Sequence, residues 1–384
     1  MRVGLIHYRA GLMDGVSLEM EKWRKVFSRM GHSVEIIAGN NAPGVDIVIP
    51  EIEYNEEKNE ILNSKLYGST PSSESESGKP FISHNHDFWW DRPYYSSPYR
   101  SVMELLENHF PPDLENVRNL TINSISASDL LRRRGIRAAV VPNVMDFLQP
   151  GWTSDQSNRE IRNMVGINEG DIVFLQATRI TERKAVETAI RLVAEFNIAA
   201  RSMTGKNLYN GKAFTGRVVL VYSGITERQS RDYRLKLDDL ASNLSVEVID
   251  IASSSSLTQR AFFESYSVAD IVTYPTIFEG WGNQLLEALV SKKPVAIFRY
   301  SVFKSDIQDS GISFIDLGDQ YGYKEGLVEI PDWNIKNAVK DISELLFDQE
   351  RYREVIERNF ELGREKFSFE TLSEIIQELI ADLA

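Results

Sequence analysis

Apolar runs of strand length alternate with helical patterns along the chain, which is typical of βα units and mainly parallel sheets. The first helical pattern places its apolar residues at steps of three and four, so that they share one face: Val16, Met20, Trp23, Phe27 and Met30. Strands are predicted at 2–8, 33–38, 46–49, 81–83, 120–124, 138–141, 171–175, 218–222, 246–251, 269–274 and 294–298. From about Trp333 the pattern is helical to the end. The sequence therefore predicts an α/β protein.

The strand series restarts near residue 171, after a stretch at 149–157 that contains Pro, Gly and Ser. We place a linker there, because such residues favour turns. Two α/β halves suit a chain of 384 residues, since each half can then bury a core of its own. Two doubly wound domains would share a cleft beyond the carboxyl ends of their strands. Residues 52–80, rich in Glu and Lys and then in Ser, predict a mobile surface loop.

Composition narrows the class of function. The chain has 43 Lys and Arg residues, 56 Asp and Glu residues and no cysteine, with a net charge of −13. This acidity argues against nucleic-acid partners and anionic membranes, which need a basic surface. The lack of cysteine excludes disulfides, thiolate metal sites and cysteine nucleophiles. Neither a signal-peptide pattern nor an apolar stretch near the ~20 residues of a membrane helix is present. We therefore expect a cytoplasmic protein without stable membrane association.

The densest chemical signal lies in residues 274–289, where a strand ends in a loop with two glycines and a helix begins near Gly282. Gly280 and Gly282 allow backbone N–H groups to approach a ligand, and the helix N-terminus offers partial positive charge to a phosphate. Glu279 precedes the helix, and Glu287 is predicted on its exposed face. Both carboxylates would then border one pocket and accept hydrogen bonds from sugar or ribose hydroxyls. The alternative is an ordinary surface helix with two solvated glutamates.

A second signal follows the strand at 171–175. Arg179 lies in the loop after this strand, and Lys184 is predicted to open a helix that Thr181 can cap. Two cations beside a helix N-terminus suit a diphosphate, Arg through its planar fork and Lys as a point charge. Arg183 could equally lie on the surface. Taken alone, this pattern also fits a helix start with solvated charges.

Together, Arg179, Lys184, Glu279 and Glu287 resemble the donor site of glycosyltransferase family 4, the retaining enzymes of GT-B architecture. They form an Arg-x₄-Lys element and a Glu-x₇-Glu element on successive βα units. The stretches 125–131 and 140–146 resemble the family's strand–Ser–helix unit and its Pro-Asn element. The resemblance covers nearly the whole chain and is strongest from 170 to 298. Two departures are Ala185, which replaces the usual glycine, and 299–304, which replaces a glycine-rich turn.

The resemblance implies two Rossmann-like domains that face a central cleft. It places an acceptor-binding domain at 1–155, a donor-binding domain at 156–350, and C-terminal helices at 351–384 that return to the first domain. The family's His-x-His-Asp stretch is similar to residues 84–87. In the family, the second histidine of this stretch reaches the donor sugar. The resemblance therefore implies this role for His86.

The resemblance also implies the contacts of the donor. Arg179 and Lys184 would hold the diphosphate and stabilise the charge that grows on it as the glycosidic bond breaks. Glu279 would bind hydroxyls of the donor sugar, Glu287 would bind the ribose, and Ile251 would line the base pocket. Backbone amides near the sugar and phosphate would come from Gly280, Trp281, Gly282, Asn283 and Gln284.

On the acceptor side we place His84, Asp87 and Trp89. Trp89 and its aromatic neighbours Phe88 and Trp90 could form a stacking platform for an acceptor sugar, although such a cluster is at least as often core. A further donor contact is implied at Gly15. Gly15 ends the loop at 11–15. This loop stands where the family has a glycine-rich loop that faces the diphosphate.

The predicted function is a retaining transfer of a hexose from UDP-glucose or GDP-mannose to a hydroxyl of a saccharide or small glycoside. A nucleotide-sugar 2-epimerase of the same architecture and a non-catalytic nucleotide-sugar-binding protein are the alternatives. We expect no cofactor and no metal ion, because cations and helix termini can hold a diphosphate and no Asp-x-Asp motif occupies a suitable loop. A compatible solute such as a glycerate glycoside, a polysaccharide intermediate and a lipid-linked sugar all remain open as the acceptor.

Overall fold

The computed structural model describes residues 1–12, 15–50, 80–88, 90–91, 100–148, 155–252 and 259–383. The surface loop predicted at 52–80 therefore lies, up to residue 79, outside the described residues. The chain divides into two compact units, Met1–Met145 with Phe367–Ala384, and Asp146–Lys366. No helix among the described residues is both long enough and apolar enough to cross a membrane.

Strands and helices alternate in both units. The strands are β1 (Arg2–His7), β2 (Ser33–Ala38), β3 (Ile47–Val48), β4 (Phe81–Asn85), β5 (Val117–Thr121), β6 (Ala138–Val140), β7 (Ile172–Gln176), β8 (Val218–Tyr222), β9 (Glu247–Asp250), β10 (Ile271–Tyr274), β11 (Val295–Ile297), β12 (Ile315–Asp316), β13 (Gly322–Lys324) and β14 (Leu327–Glu329). The helices are α1 (Gly15–Arg29), α2 (Arg100–His109), α3 (Ser124–Arg134), α4 (Asp155–Met164), α5 (Val186–Ala200), α6 (Arg231–Asn243), α7 (Gln259–Val268), α8 (Asn283–Val290), α9 (Asp332–Leu346), α10 (Gln349–Phe367) and α11 (Phe369–Leu383).

The first unit contains two parallel sheets in the described residues, β1-β2-β3 and β4-β5-β6. The apolar face predicted for α1 is buried there, with Trp23, Val26 and Phe27 in one cluster. The final helix, α11, adds Leu372 and Ile376 to the same cluster. The C-terminal helix therefore completes the core of the first unit, because its apolar face covers that of α1.

The second unit is built on a six-stranded parallel sheet with the order β12-β11-β10-β7-β8-β9. Its strands are near-continuous apolar runs, and β7 and β8 are buried along their whole length. This pattern is typical of a parallel sheet with helices on both faces. The strand order reverses between β7 and β10. Doubly wound sheets bind ligands at such a switch point, beyond the carboxyl ends of the strands.

The boundaries of the units differ from the predicted divisions after residues 155 and 350. Residues 146–155 and 351–366 group with the second unit. Contacts along α10 explain this grouping. The Tyr352 hydroxyl donates to the Asp270 carbonyl at 3.1 Å, and the Asn359 side chain donates to the Ser313 carbonyl at 2.8 Å.

The bounds of several predicted segments differ from those in the structure, among them a strand and the linker. The strand predicted at 120–124 ends at Thr121, because Asn123 caps a helix: its side-chain oxygen accepts from the Ser126 N–H at 2.7 Å. The helix α3 therefore begins at Ser124, inside the predicted strand. The linker predicted at 149–157 is wrong from Asp155, where α4 begins.

Candidate functional site

Two loops lie against each other at the carboxyl edge of the sheet in the second unit. Residues 177–185 follow β7, and residues 275–282 follow β10. The Ile277 N–H donates to the Arg183 carbonyl at 3.0 Å, and the Thr276 hydroxyl oxygen lies 3.2 Å from the same carbonyl oxygen. The backbone thus brings the two sequence motifs together at the switch point.

Lys184 and Glu279 form a buried ion pair between these loops, with 9% and 11% of their side chains exposed. The other carboxylate oxygen of Glu279 pairs with Arg183 at 3.1 Å. The Thr276 hydroxyl donates to the oxygen that faces Lys184, at 3.1 Å. Burial alone would raise the pKa of Glu279, but Lys184 and Arg183 lower it to about 2. The carboxylate is therefore ionised at neutral pH and held by three donors.

The pKa of Lys184 lies much closer to neutral pH than that of an ordinary lysine. Burial, assisted by the nearby charges of Arg183 and Arg179, lowers the pKa of Lys184 to about 8 against the opposing effect of Glu279. The ammonium also lies 5.7 Å from the centroid of the Tyr274 ring. A bound diphosphate would add negative charge beside this cation and so favour its charged form.

Arg179 lies at the exposed rim of the same site. Its side chain is 52% exposed and pairs with Glu227 at 2.6 Å. An exposed ion pair contributes only ~0–1 kcal/mol, so this guanidinium can exchange the Glu227 carboxylate for a phosphate at little cost.

The backbone around Lys184 differs from the predicted helix start. Lys184 ends a 3₁₀ turn that begins at Glu182, and α5 begins only at Val186. The predicted Thr181 cap is wrong, since the Thr181 hydroxyl donates to the Glu182 carboxylate at 3.2 Å and caps no backbone N–H. Ala185 has φ 47°, in the left-handed region, and turns the chain between the 3₁₀ turn and α5. This conformation favours glycine, which accounts for the glycine usual at this position.

The loop before α8 is closely packed. Gly282 has φ 120°, and a Cβ there would lie 2.6 Å from the Tyr274 hydroxyl and 2.7 Å from the Tyr300 hydroxyl. The Tyr300 hydroxyl also donates to the carbonyl of Trp281, which is itself buried. Only glycine fits at position 282. The predicted donor contacts Gly280 to Asn283 thus lie in a closely packed loop at the start of α8.

Gln284, in the first turn of α8, is buried with 6% of its surface exposed. Within the described residues, neither its side-chain oxygen nor its nitrogen has a hydrogen-bonding partner. Buried amides in folded proteins are nearly always paired. An unpaired carboxamide beside a helix N-terminus therefore points to a ligand that supplies the missing partner.

The prediction that Glu287 lies on an exposed face of its helix is wrong. Glu287 is 5% exposed, and its carboxylate accepts from the Tyr266 hydroxyl at 2.5 Å. All residues of α8 from Gln284 to Val290 are buried, and α7 supplies Tyr266 against the face that carries Glu287. The periodicity of a single helix cannot reveal that a second helix covers its polar face.

The remaining donor-side predictions are spread over both units. Ile251 is buried just after β9, and its N–H donates to the Tyr222 carbonyl at 2.9 Å. Gly15 begins α1 in the first unit, and a Cβ there would meet no atom of the described residues within 4 Å.

His84 and His86 lie side by side in the first unit, at the end of β4, with ring centroids 4.7 Å apart. Burial lowers the pKa of both imidazoles. At His86 the Glu19 carboxylate opposes this effect, whereas His7 and Lys22 add to it. Both rings are therefore neutral at neutral pH. Together with His7 and Glu19 they contribute to the lining of a cavity of 520 Å³ beside β1.

The predicted aromatic platform is only partly described. Trp89 lies outside the described residues. Phe88 is buried against Leu130 and stacks on Trp90, with centroids 4.5 Å apart and planes at 22°. Phe88 is therefore a core residue, which was the alternative interpretation. Asp87 is partly buried beside it.

Sequence reasoning missed three residues of the site. Arg183, left open as a surface residue, binds Glu279 and also donates to the Phe278 carbonyl at 3.1 Å. Tyr274 and Tyr300 pack around Gly282. Both tyrosines come at or just after the end of a strand, and position relative to strand ends is the signal that could have identified them.

Comparisons with known proteins identify the family of the chain. The family model described as Glycosyl transferases group 1 matches residues 157–361. The mannosylglucosylglycerate synthase of Thermotoga maritima is 40% identical over 98% of this chain and 99% of its own length. The mannosylglucosylglycerate synthase of Petrotoga mobilis is 33% identical over 96% of this chain and 98% of its own length.

Solved structures show the same architecture. Anabaena Alr3699/HepE, in complex with UDP and glucose, superposes with a TM-score of 0.69 at 13% identity and covers 100% of both chains. WaaG, a glycosyltransferase involved in lipopolysaccharide biosynthesis, has a TM-score of 0.66 at 15% identity over 97% of this chain and 99% of its own. The chain belongs to the glycosyl transferases group 1, glycosyltransferase family 4, and is a hexosyltransferase of GT-B architecture with two Rossmann-like domains.

Proposed function

We propose that this enzyme transfers a mannosyl residue from GDP-mannose to glucosylglycerate, with retention of configuration at the anomeric carbon. The observation that carries the proposal is the buried pair of Lys184 and Glu279 at the switch point, in a chain 40% identical to a mannosylglucosylglycerate synthase. A product of that name consists of mannosyl, glucosyl and glycerate units. Addition of the outermost unit requires a mannosyl donor and a glucosylglycerate acceptor.

The charges at the switch point support this assignment of the donor site. Arg179 and Lys184 would neutralise the diphosphate, whose negative charge increases as the glycosidic bond breaks. Glu279, ionised and oriented by three donors, would accept hydrogen bonds from hydroxyls of the mannosyl ring. The carboxamide of Gln284 would pair with the sugar or the phosphate. Glu287, oriented by the Tyr266 hydroxyl, would accept from the ribose.

The proposed reaction is a front-face displacement. The acceptor hydroxyl attacks the anomeric carbon from the side of the leaving phosphate, which takes the hydroxyl proton. Retention follows because the new bond forms on the face where the old one breaks. In the first unit, His86 would contact the donor sugar, and the backbone beside it would steady the positive charge on the ring. His84 and Asp87 would lie on the acceptor side. The neutral state of both histidines suits hydrogen bonding to sugar hydroxyls.

The test is product formation by the purified chain. Incubation with GDP-mannose and glucosylglycerate should release GDP and yield mannosylglucosylglycerate, identified by mass, with the anomeric configuration read by NMR. Matched reactions replace the donor by UDP-glucose or GDP-glucose, or the acceptor by mannosylglycerate. They identify which donor and which acceptor the enzyme uses. Transfer from UDP-glucose alone would refute the choice of donor. Conversion of GDP-mannose to an epimer without acceptor would refute transfer.

We also propose that the transfer needs no metal ion, since Arg179, Lys184 and the α8 N-terminus can balance the diphosphate. Activity should be the same before and after treatment with excess EDTA and gel filtration. Loss of activity on chelation, with recovery on addition of Mg²⁺ or Mn²⁺, would contradict this proposal.

A further inference from the structure

Tyr300 connects the segment after β11 to the loop before α8. It is buried, with 2% of its surface exposed, and its hydroxyl donates to the Trp281 carbonyl at 2.5 Å. Burial raises the pKa of this phenol well above its usual value, so the hydroxyl stays protonated and remains a donor.

The geometry of a trans peptide gives this hydrogen bond a consequence for the next residue. In a trans peptide the C=O and the following N–H point in opposite directions. Because Tyr300 draws the Trp281 carbonyl into the core, the Gly282 N–H must point away from Tyr300. Within the described residues this N–H donates to no acceptor. It therefore joins the first N–H groups of α8, which carry the partial positive charge of the helix N-terminus.

Close packing keeps the peptide in this orientation. The hydroxyls of Tyr274 and Tyr300 both lie within 2.7 Å of the place that a Cβ on Gly282 would occupy. The two rings meet edge to face at 86°, with centroids 6.0 Å apart. This crowding leaves little room for the Trp281–Gly282 peptide to rotate while the hydrogen bond of Tyr300 is intact.

We propose that Tyr300 is a positioning residue that holds the Trp281–Gly282 peptide so that the Gly282 N–H faces the diphosphate of the donor. This inference rests on the proposed function, because it assumes that a nucleotide diphosphate binds at the N-terminus of α8. Tyr300 acts through the backbone and touches no substrate. Its effect is on donor affinity.

The test compares two tyrosine-to-phenylalanine variants. Tyr300→Phe removes the hydroxyl and keeps the ring. Tyr352→Phe is the matched control: its hydroxyl is likewise buried and donates to a backbone carbonyl, that of Asp270, but at the opposite end of β10. Calorimetry measures the Kd of GDP, with UDP in parallel, and thermal unfolding measures stability.

In Tyr300→Phe we expect the Kd of GDP and the KM of the donor to rise about tenfold, with the KM of the acceptor unchanged. In Tyr352→Phe the melting temperature should fall as much as it does in Tyr300→Phe. The Kd of GDP should nevertheless stay within twofold of its value in the unmodified chain. Unchanged GDP binding in Tyr300→Phe, or equal losses of binding in both variants, would overturn the role of Tyr300. Failure of the unmodified chain to bind either nucleotide would refute the proposed donor site instead.

Discussion

In the proposed donor site, the affinity for a diphosphate should depend on the protonation of Lys184. Its pKa of about 8 results from burial that outweighs the attraction of Glu279. A lysine with this pKa is largely charged at pH 7 and largely neutral above pH 9. We therefore expect the affinity of the proposed donor site for an anionic diphosphate to depend on pH near 8, below the usual titration range of lysine.

We expect the Kd of GDP to rise as the pH increases through about 8, because the deprotonated amine no longer attracts the phosphates. In Glu279→Gln the midpoint of this change should move below 8, since the carboxylate that favours the ammonium is gone. Calorimetric titrations between pH 6.5 and 10 would measure both curves. A flat profile in the unmodified chain would contradict the role of Lys184.

Removal of the charge gives a second prediction at the same position. Lys184→Ala should lower kcat/KM by roughly 10²–10³-fold, the usual range for loss of one preorganised group that stabilises charge in the transition state. Lys340→Ala is the control, because this lysine is 75% exposed and forms only a surface ion pair with Glu344. Steady-state kinetics would compare the two. Equal activity in both variants would exclude Lys184 from the site.

At the scale of elements, the backbone conformation just before α8 depends on Gly282. Gly282→Ala would bring a methyl group within 2.7 Å of two tyrosine hydroxyls at a φ of 120°. We expect the loop to move and the Kd of GDP to rise at least tenfold. Gly322→Ala is the control, since a Cβ at this position in β13 meets no described atom within 4 Å. GDP titrations of both variants would test this, and unaltered binding in Gly282→Ala would show that the loop tolerates a side chain.

Most elements of the sheets could be read from apolar runs, and β2 and β8 have the predicted bounds. Errors arose where a single side chain or a single backbone angle decides the local structure. Asn123 ends a strand by capping α3, and Ala185 separates a 3₁₀ turn from α5 by a left-handed backbone. Such choices depend on single hydrogen bonds and dihedral angles, which apolar periodicity does not encode.

For the whole molecule, the division into two units predicts separable effects on stability and binding. Leu372, on α11, is fully buried in the cluster with Trp23 and Val26 of the first unit. Leu372→Ala should cost ~2–5 kcal/mol through lost burial and a cavity. The Kd of GDP at 25 °C should stay within twofold, because the proposed donor site lies in the second unit. Chemical unfolding and calorimetry would test both parts, and a large loss of GDP affinity would show coupling between the units.

The sequence by itself determined the α/β class, the two series of βα units and the identity of Arg179, Lys184 and Glu279 as candidates. It could do so because strand periodicity and motif spacing are local properties. Only the tertiary structure showed that Glu287 is covered by Tyr266, that Arg183 joins Glu279, and that Tyr300 supports the loop before α8. These contacts join residues that are 19 to 96 positions apart in the sequence. They depend on the strand order of the sheet, which brings β10 beside β7.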